Sequence, residues 1–113
     1  MEIKIFGENC IISPLSPILE ERETLRLADE LRNIKGYKIG LDLSYVDSCS
    51  IEFIEFLKNT ENINLFNIPQ NVFVLINLMK LDKIVNLFVS ETDFLTSSHR
   101  LLNRAFTLVK SLQ

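Results

Sequence analysis

The stretch from residue 38 to residue 57, KIGLDLSYVDSCSIEFIEFL, changes its hydrophobic pattern part-way along. Lys38 to Val46 is rich in aliphatic side chains, which predicts a central strand of a sheet. From about Ile51 to Asn59 the apolar side chains cover more than one face of a helix, which predicts that this helix is deeply packed. The small polar residues from Asp47 to Ser50 would therefore lie where a strand ends and a helix begins.

The segments on either side also alternate between strand and helix patterns. Met1 to Phe6 and Cys10 to Leu15 predict a hairpin, and Ser16-Pro17 predicts the start of a helix that ends at Gly36. Later apolar patterns predict two more strands, at Asn64–Ile68 and Ile84–Val89. A helix is predicted after each of them, the first from the stripe of Val72, Leu75, Ile76 and Met79 and the second from the stripe of Leu101, Ala105, Leu108 and Leu112. This order, ββαβαβαβα, indicates an α/β domain whose later strands pair in parallel.

The composition excludes several classes of protein. A chain of 113 residues with 47% hydrophobic residues is long enough for one domain with its own core. The net charge of −3 and the pI near 5.1 argue against binding nucleic acid, which needs a dense basic surface. No apolar run approaches the ~18 residues of a membrane span, and the first residues lack a signal peptide's apolar core. Two widely spaced cysteines predict reduced thiols in a cytoplasmic protein.

Few residues offer a basis for catalysis or for binding a cofactor. The single histidine, His99, predicts no metal site, and no glycine-rich phosphate loop occurs, so we expect no cofactor. Ser48, Cys49 and Ser50 are candidate nucleophiles, but they lack a nucleophile elbow and lie about fifty residues from the histidine. In the alternative interpretation Ser50 caps a helix, while Asp47 and Ser48 shape the turn before it.

Two segments resemble the STAS domains, a family named for sulphate transporters and anti-sigma factor antagonists. IGLDLSYVDSCSIEFIEFL, residues 39–57, resembles the strand, loop and helix that the family usually writes as D-L-S-x-V-x-x-I-D-S-S-G-L-x-x-L. IPQNVFVLINLMKLDKIVNLFVSETDFL, residues 68–95, resembles its later strands and helices, with Met79–Ile84 in place of a G-L-x-K-I/L segment. The resemblance implies one STAS-like domain over residues 1–113, with a mixed β-sheet and helices packed mainly on one face.

The resemblance fails at the motif that the signalling members use as a switch. In an ungapped alignment Glu52 takes the position of the hydroxyl residue that a partner kinase phosphorylates, and Phe53 takes that of a glycine. A second register would place Asp47-Ser48 on the family's D-S, making Ser48 or Ser50 the acceptor. The ungapped register is preferred because it keeps the core positions of the loop and helix apolar, namely Val46, Cys49, Ile54 and Leu57.

The resemblance implies a non-catalytic regulatory module in the bacterial cytoplasm, similar to the anti-sigma factor antagonists that regulate transcription. It would bind a protein partner, such as an anti-sigma factor with a kinase-like ATP-binding fold, through residues 47–53 and the following helix. With Glu52 at the acceptor position, the phosphorylation switch would be lost. The alternatives are a small STAS subunit of a transporter complex, or an enzyme using Cys49 or Ser48. The predicted partner-binding residues are Asp47, Ser48, Ser50, Glu52 and Phe53.

Overall fold

The computed structural model describes residues 1–96, so His99 and the predicted helix with Leu101, Ala105, Leu108 and Leu112 lie outside the described residues. Strands and helices alternate as predicted, with two additional short strands. In chain order the elements are β1 (Glu2–Phe6), β2 (Asn9–Ser13), β3 (Ile18–Leu19), α1 (Glu21–Asn33), β4 (Lys38–Asp42), β5 (Ser48–Cys49), α2 (Ile51–Lys58), β6 (Ile63–Phe66), α3 (Gln70–Leu78), a 3₁₀ turn (Leu81–Lys83), β7 (Asn86–Leu87) and α4 (Glu91–Thr96).

Within residues 1–96, the main sheet has five strands in the order β1-β2-β4-β6-β7. The β1–β2 hairpin is antiparallel, and the other neighbours are parallel, so the predicted mixed sheet is confirmed. The Lys38 strand is internal, as predicted, but it ends at Asp42 rather than Val46. Its end is a turn in which the Val46 N–H donates to the Leu43 carbonyl at 3.0 Å. Leu43 and Val46 are nevertheless buried, so this part of the predicted strand is a packed loop.

The two faces of the sheet have separate cores, because side chains alternate along each strand. Leu41 and Leu65 join the larger core, to which α1, α2 and α3 contribute Leu27, Phe53 and Ile76. On the opposite face a smaller core consists of Ile11, Phe66, Phe88 and Phe94. Three helices therefore pack on one face and α4 packs on the other. This arrangement agrees with the prediction that the helices pack mainly on one face of the sheet.

The predicted helix start at Ser16-Pro17 is wrong. Ile18 and Leu19 instead form β3, which pairs in parallel with β5 in a separate two-stranded sheet. Helix α1 begins at Glu21, and the Glu23 carboxylate accepts a hydrogen bond from the Glu20 N–H at 3.2 Å. This glutamate three residues into the helix is a stronger start signal than the serine-proline pair.

The predicted stripe of α3 is correct in its first turns and wrong at its end. Val72 and Ile76 are fully buried, and Leu75 is half-buried. Met79 is 46% exposed, because the helix ends at Leu78 and Lys80 adopts a left-handed conformation with φ +57°. The next predicted strand, Ile84–Val89, is reduced to Asn86–Leu87. No helix within residues 1–96 is long and apolar enough to cross a membrane.

Candidate functional site

The loop of residues 43–50, which connects β4 to α2 and contains the short strand β5, is fixed by backbone hydrogen bonds to the segment before α1. The Pro17 carbonyl accepts from the Asp47 N–H at 2.7 Å and from the Ser48 N–H at 3.2 Å. The Ser50 N–H donates to the Leu19 carbonyl at 2.9 Å. Pro17 and Leu19 thus hold the loop from one side, so it presents its side chains from a rigid frame.

Side chains at the ends of β4 and β6 and in the first turn of α3 hold the loop from the other side. One oxygen of Asp42 accepts both from the Ser44 N–H and from the Asn67 side-chain amide, each at 3.0 Å. The Asn71 side-chain amide donates to the Asp47 carbonyl at 3.3 Å. Sequence reasoning missed Asn67 and Asn71. A signal was present, since asparagine is favoured at left-handed positions, and Asn67 has φ +53° directly after β6.

The predicted partner-binding residues differ in accessibility. Asp47 and Glu52 are exposed, and Ser48 is half-buried. Phe53 is fully buried, so its predicted place on the binding surface is wrong. Its position explains the error, because Phe53, Ile54 and Leu57 share the inward face of α2 at helical spacing. Phe53 fills the core instead of contacting solvent.

Two exposed apolar side chains, one in the loop and one directly after it, were not among the predicted site residues. Tyr45 is 59% exposed and Ile51 is 58% exposed. The helix from about Ile51 was expected to be deeply packed, but Ile51 is the first residue of α2 and lies outside its buried face. Tyr45, Asp47, Ile51 and Glu52 are thus exposed along one segment of the chain, and we call these four residues the docking surface.

The two cysteines are free and poorly suited to nucleophilic chemistry. Burial raises the pKa of the Cys49 thiol to about 11, and burial, with a contribution from the Glu30 charge, raises that of Cys10. Because the thiolate is the nucleophile, Cys49 is held in its unreactive protonated form near neutral pH. No cluster of three or more potential metal ligands occurs within residues 1–96.

Ser50 occupies the predicted N-cap position of α2, but its hydroxyl makes no capping hydrogen bond. Its oxygen is buried and has no hydrogen-bond partner among the described residues. Replacing an N-cap serine with alanine usually costs ~1 kcal/mol, because a capping bond is lost. We expect Ser50→Ala to change the free energy of unfolding by less than ~0.5 kcal/mol, since no such bond exists here. Urea denaturation followed by circular dichroism measures the difference.

Thr24 provides a matched control for Ser50. Its buried hydroxyl donates to the Glu20 carbonyl at 2.8 Å, so Thr24→Val should cost about 1 kcal/mol. A loss of ~1 kcal/mol or more for Ser50→Ala would instead show that the Ser50 hydroxyl caps the helix in solution.

Comparison with known proteins adds no relative from which a role could be inferred. No protein-family model matches the chain, and no curated protein is significantly similar to it.

Proposed function

We propose that this protein is a non-catalytic regulatory module of STAS type that binds a protein partner through the docking surface. The observation that carries the proposal is the pairing of exposed apolar side chains, Tyr45 and Ile51, with exposed carboxylates, Asp47 and Glu52, along one anchored segment. Isolated exposed apolar residues are common, so the combination with a fixed backbone matters more than either side chain.

The anchoring favours binding because little conformational entropy would be lost on association. The backbone bonds to Pro17 and Leu19 and the Asn71 contact already hold residues 47–50 in place. Rigid loops bind with smaller ordering costs than flexible loops. Tyrosine is also enriched among the residues that dominate interface energies, which makes Tyr45 the expected anchor. The two carboxylates predict a complementary basic rim on the partner.

The resemblance to STAS domains supplies the kind of partner. The mixed sheet and the strand, loop and helix of residues 38–58 are compatible with that family, whose signalling members bind anti-sigma factors of kinase-like fold. Glu52 is exposed in the first turn of α2, where the helix dipole stabilises a negative charge. The buried Ser50 oxygen is a poor kinase substrate. These features support a docking surface with a permanent charge and no phosphorylation switch.

An enzymatic role for Cys49 or Ser48 has less support. Cys49 is protonated near neutral pH, and no histidine lies within residues 1–96 to act as a base for either residue. A transporter subunit would share the fold, but no feature of the docking surface favours it over a regulatory partner.

The proposal is tested by comparing a variant of the docking surface with a matched variant elsewhere. Wild-type protein is used to capture its partner from the native cell, and titration calorimetry then measures the affinity of each variant for the captured protein. Tyr45→Ala with Glu52→Gln is expected to weaken binding about 10–1000-fold, because an aromatic anchor and a charge contact are both removed.

The control variant is Leu78→Ala with Glu61→Gln. Leu78 is 71% exposed, and Glu61 is exposed. Leu78 is the last residue of α3, and Glu61 lies between α2 and β6. Both therefore lie toward the amino ends of the parallel strands, away from the docking surface. The control should bind like wild type, and both variants should keep their melting temperatures. Equal affinities of the docking-surface variant and wild type would refute the proposal.

A further inference from the structure

The outer edge of β1 is a second surface, unrelated to the docking surface. Strand β1 pairs with β2 on one side, and none of the described residues pairs with its other side. All five of its residues are exposed, with Ile3 at 40%, Ile5 at 53% and Phe6 at 44%. An exposed edge with apolar side chains is a template for pairing with another strand.

The hairpin geometry shows which backbone groups face this free edge. The turn between β1 and β2 has two residues, and Gly7 has φ +59°, as in a type II′ hairpin. In such a hairpin the flanking pair, Phe6 and Asn9, is hydrogen-bonded, and hydrogen-bonded pairs then alternate along the ladder. Lys4 and Glu2 therefore bond to β2, whereas the N–H and C=O groups of Ile3 and Ile5 point outward.

We propose that β1 pairs antiparallel with β1 of a second copy of this chain, with the two Ile3 residues opposite each other across a two-fold axis. In this register each Glu2 lies opposite Lys4 of the other copy, which gives two cross-strand ion pairs. Each Ile5 lies opposite Met1, so the apolar side chains of the other face meet only apolar side chains. The two five-stranded sheets would become one continuous sheet.

The neighbouring registers lack this complementarity. A shift by two residues sets Lys4 opposite Lys4 of the second copy, and like charges directly opposite are destabilising. A shift by one residue would place charged side chains opposite isoleucines and misalign the outward-facing backbone groups. Lys4 also lies 3.6 Å from Glu91 of its own chain, and its side chain is 43% exposed, so it can contact a second carboxylate.

Charge reversal tests the pairing directly. Analytical ultracentrifugation of wild type, at concentrations up to several hundred micromolar, should show a species of twice the 13.1 kDa chain mass. Glu2→Lys and Lys4→Glu should each weaken dimerisation at least tenfold, because each places like charges opposite one another. An equimolar mixture of the two variants should form a heterodimer, since every lysine then faces a glutamate.

Cysteine substitution tests the register independently of the charges. In a hydrogen-bonded antiparallel pair the Cα atoms lie about 5.5 Å apart, within the range of a disulfide. Under mild oxidation Ile3→Cys should form a covalent dimer, whereas Ile5→Cys, opposite Met1, and the exposed Leu25→Cys should not. The cross-linking test remains informative even if the Lys4→Glu variant fails to fold because its new carboxylate lies beside that of Glu91.

Several outcomes would overturn the inference. A monomer throughout the concentration range would refute the dimer. A wild-type dimer that neither charge variant weakens would place the interface elsewhere, and cross-linking through Ile5 rather than Ile3 would refute the register. None of these results affects the proposed docking surface, whose test uses Tyr45 and Glu52.

Discussion

Phe53→Ala is expected to reduce the free energy of unfolding by about 3–5 kcal/mol. The Phe53 side chain is fully buried among the core residues beneath α2, and its ring stacks on that of Phe56 with the centroids 6.0 Å apart. Removing the ring takes apolar area out of the core and leaves a cavity that the surrounding strands and helices fill only in part. Urea denaturation followed by circular dichroism at 222 nm measures the loss.

Ile51, two residues earlier on the same helix, is the matched control. It is 58% exposed, so Ile51→Ala should change the stability by less than ~0.5 kcal/mol. The two variants thus separate the inward face of α2 from the docking surface. A loss of less than ~1 kcal/mol for Phe53→Ala would mean that the ring does not support the core, contrary to its burial.

The strands and helices could be predicted wherever a periodic apolar pattern reports the core. The spacing of Val72, Leu75 and Ile76 identified α3 in this way. The aliphatic residues after Lys38 and the dense apolar residues after Ile51 identified β4 and α2, because elements that pack in the core need apolar side chains. Ser16-Pro17 misled the prediction of α1, since two apolar residues after the proline find a pairing partner in Ser48–Cys49, thirty residues away. Pairing over such a distance leaves no local pattern in the sequence.

The candidate site was only partly predictable, for a related reason. The sequence places Asp47 and Glu52 near a strand end and a helix start, and both are exposed. It does not reveal which apolar neighbours point outward, because Phe53 and Ile51 differ only in their angle around α2. The tethers to Pro17 and Asn71 depend on the three-dimensional arrangement and have no local signature.

Gly40→Ala is expected to destabilise the protein by about 1–3 kcal/mol, although a methyl group in a strand is ordinarily harmless. A Cβ atom at Gly40 would lie 2.7 Å from two ring atoms of Phe94, closer than van der Waals contact allows. The ring has little room to move, because it stacks on Phe66 at 5.5 Å and meets the edge of Phe88 at 6.0 Å, as measured between ring centroids. The Lys38 amine lies 4.9 Å above the same ring.

Shortening the opposing side chain should relieve this clash. Phe94→Leu alone removes part of a buried ring and should itself destabilise the protein, yet it opens space opposite Gly40. The double variant is therefore expected to be at least ~0.5 kcal/mol more stable than the sum of the two single effects predicts, which is the mark of residues in direct contact. Urea denaturation of wild type, the two single variants and the double variant gives the four free energies of unfolding that this comparison needs. Strict additivity would mean that α4 does not hold Phe94 against Gly40, and that the sheet needs glycine there for another reason.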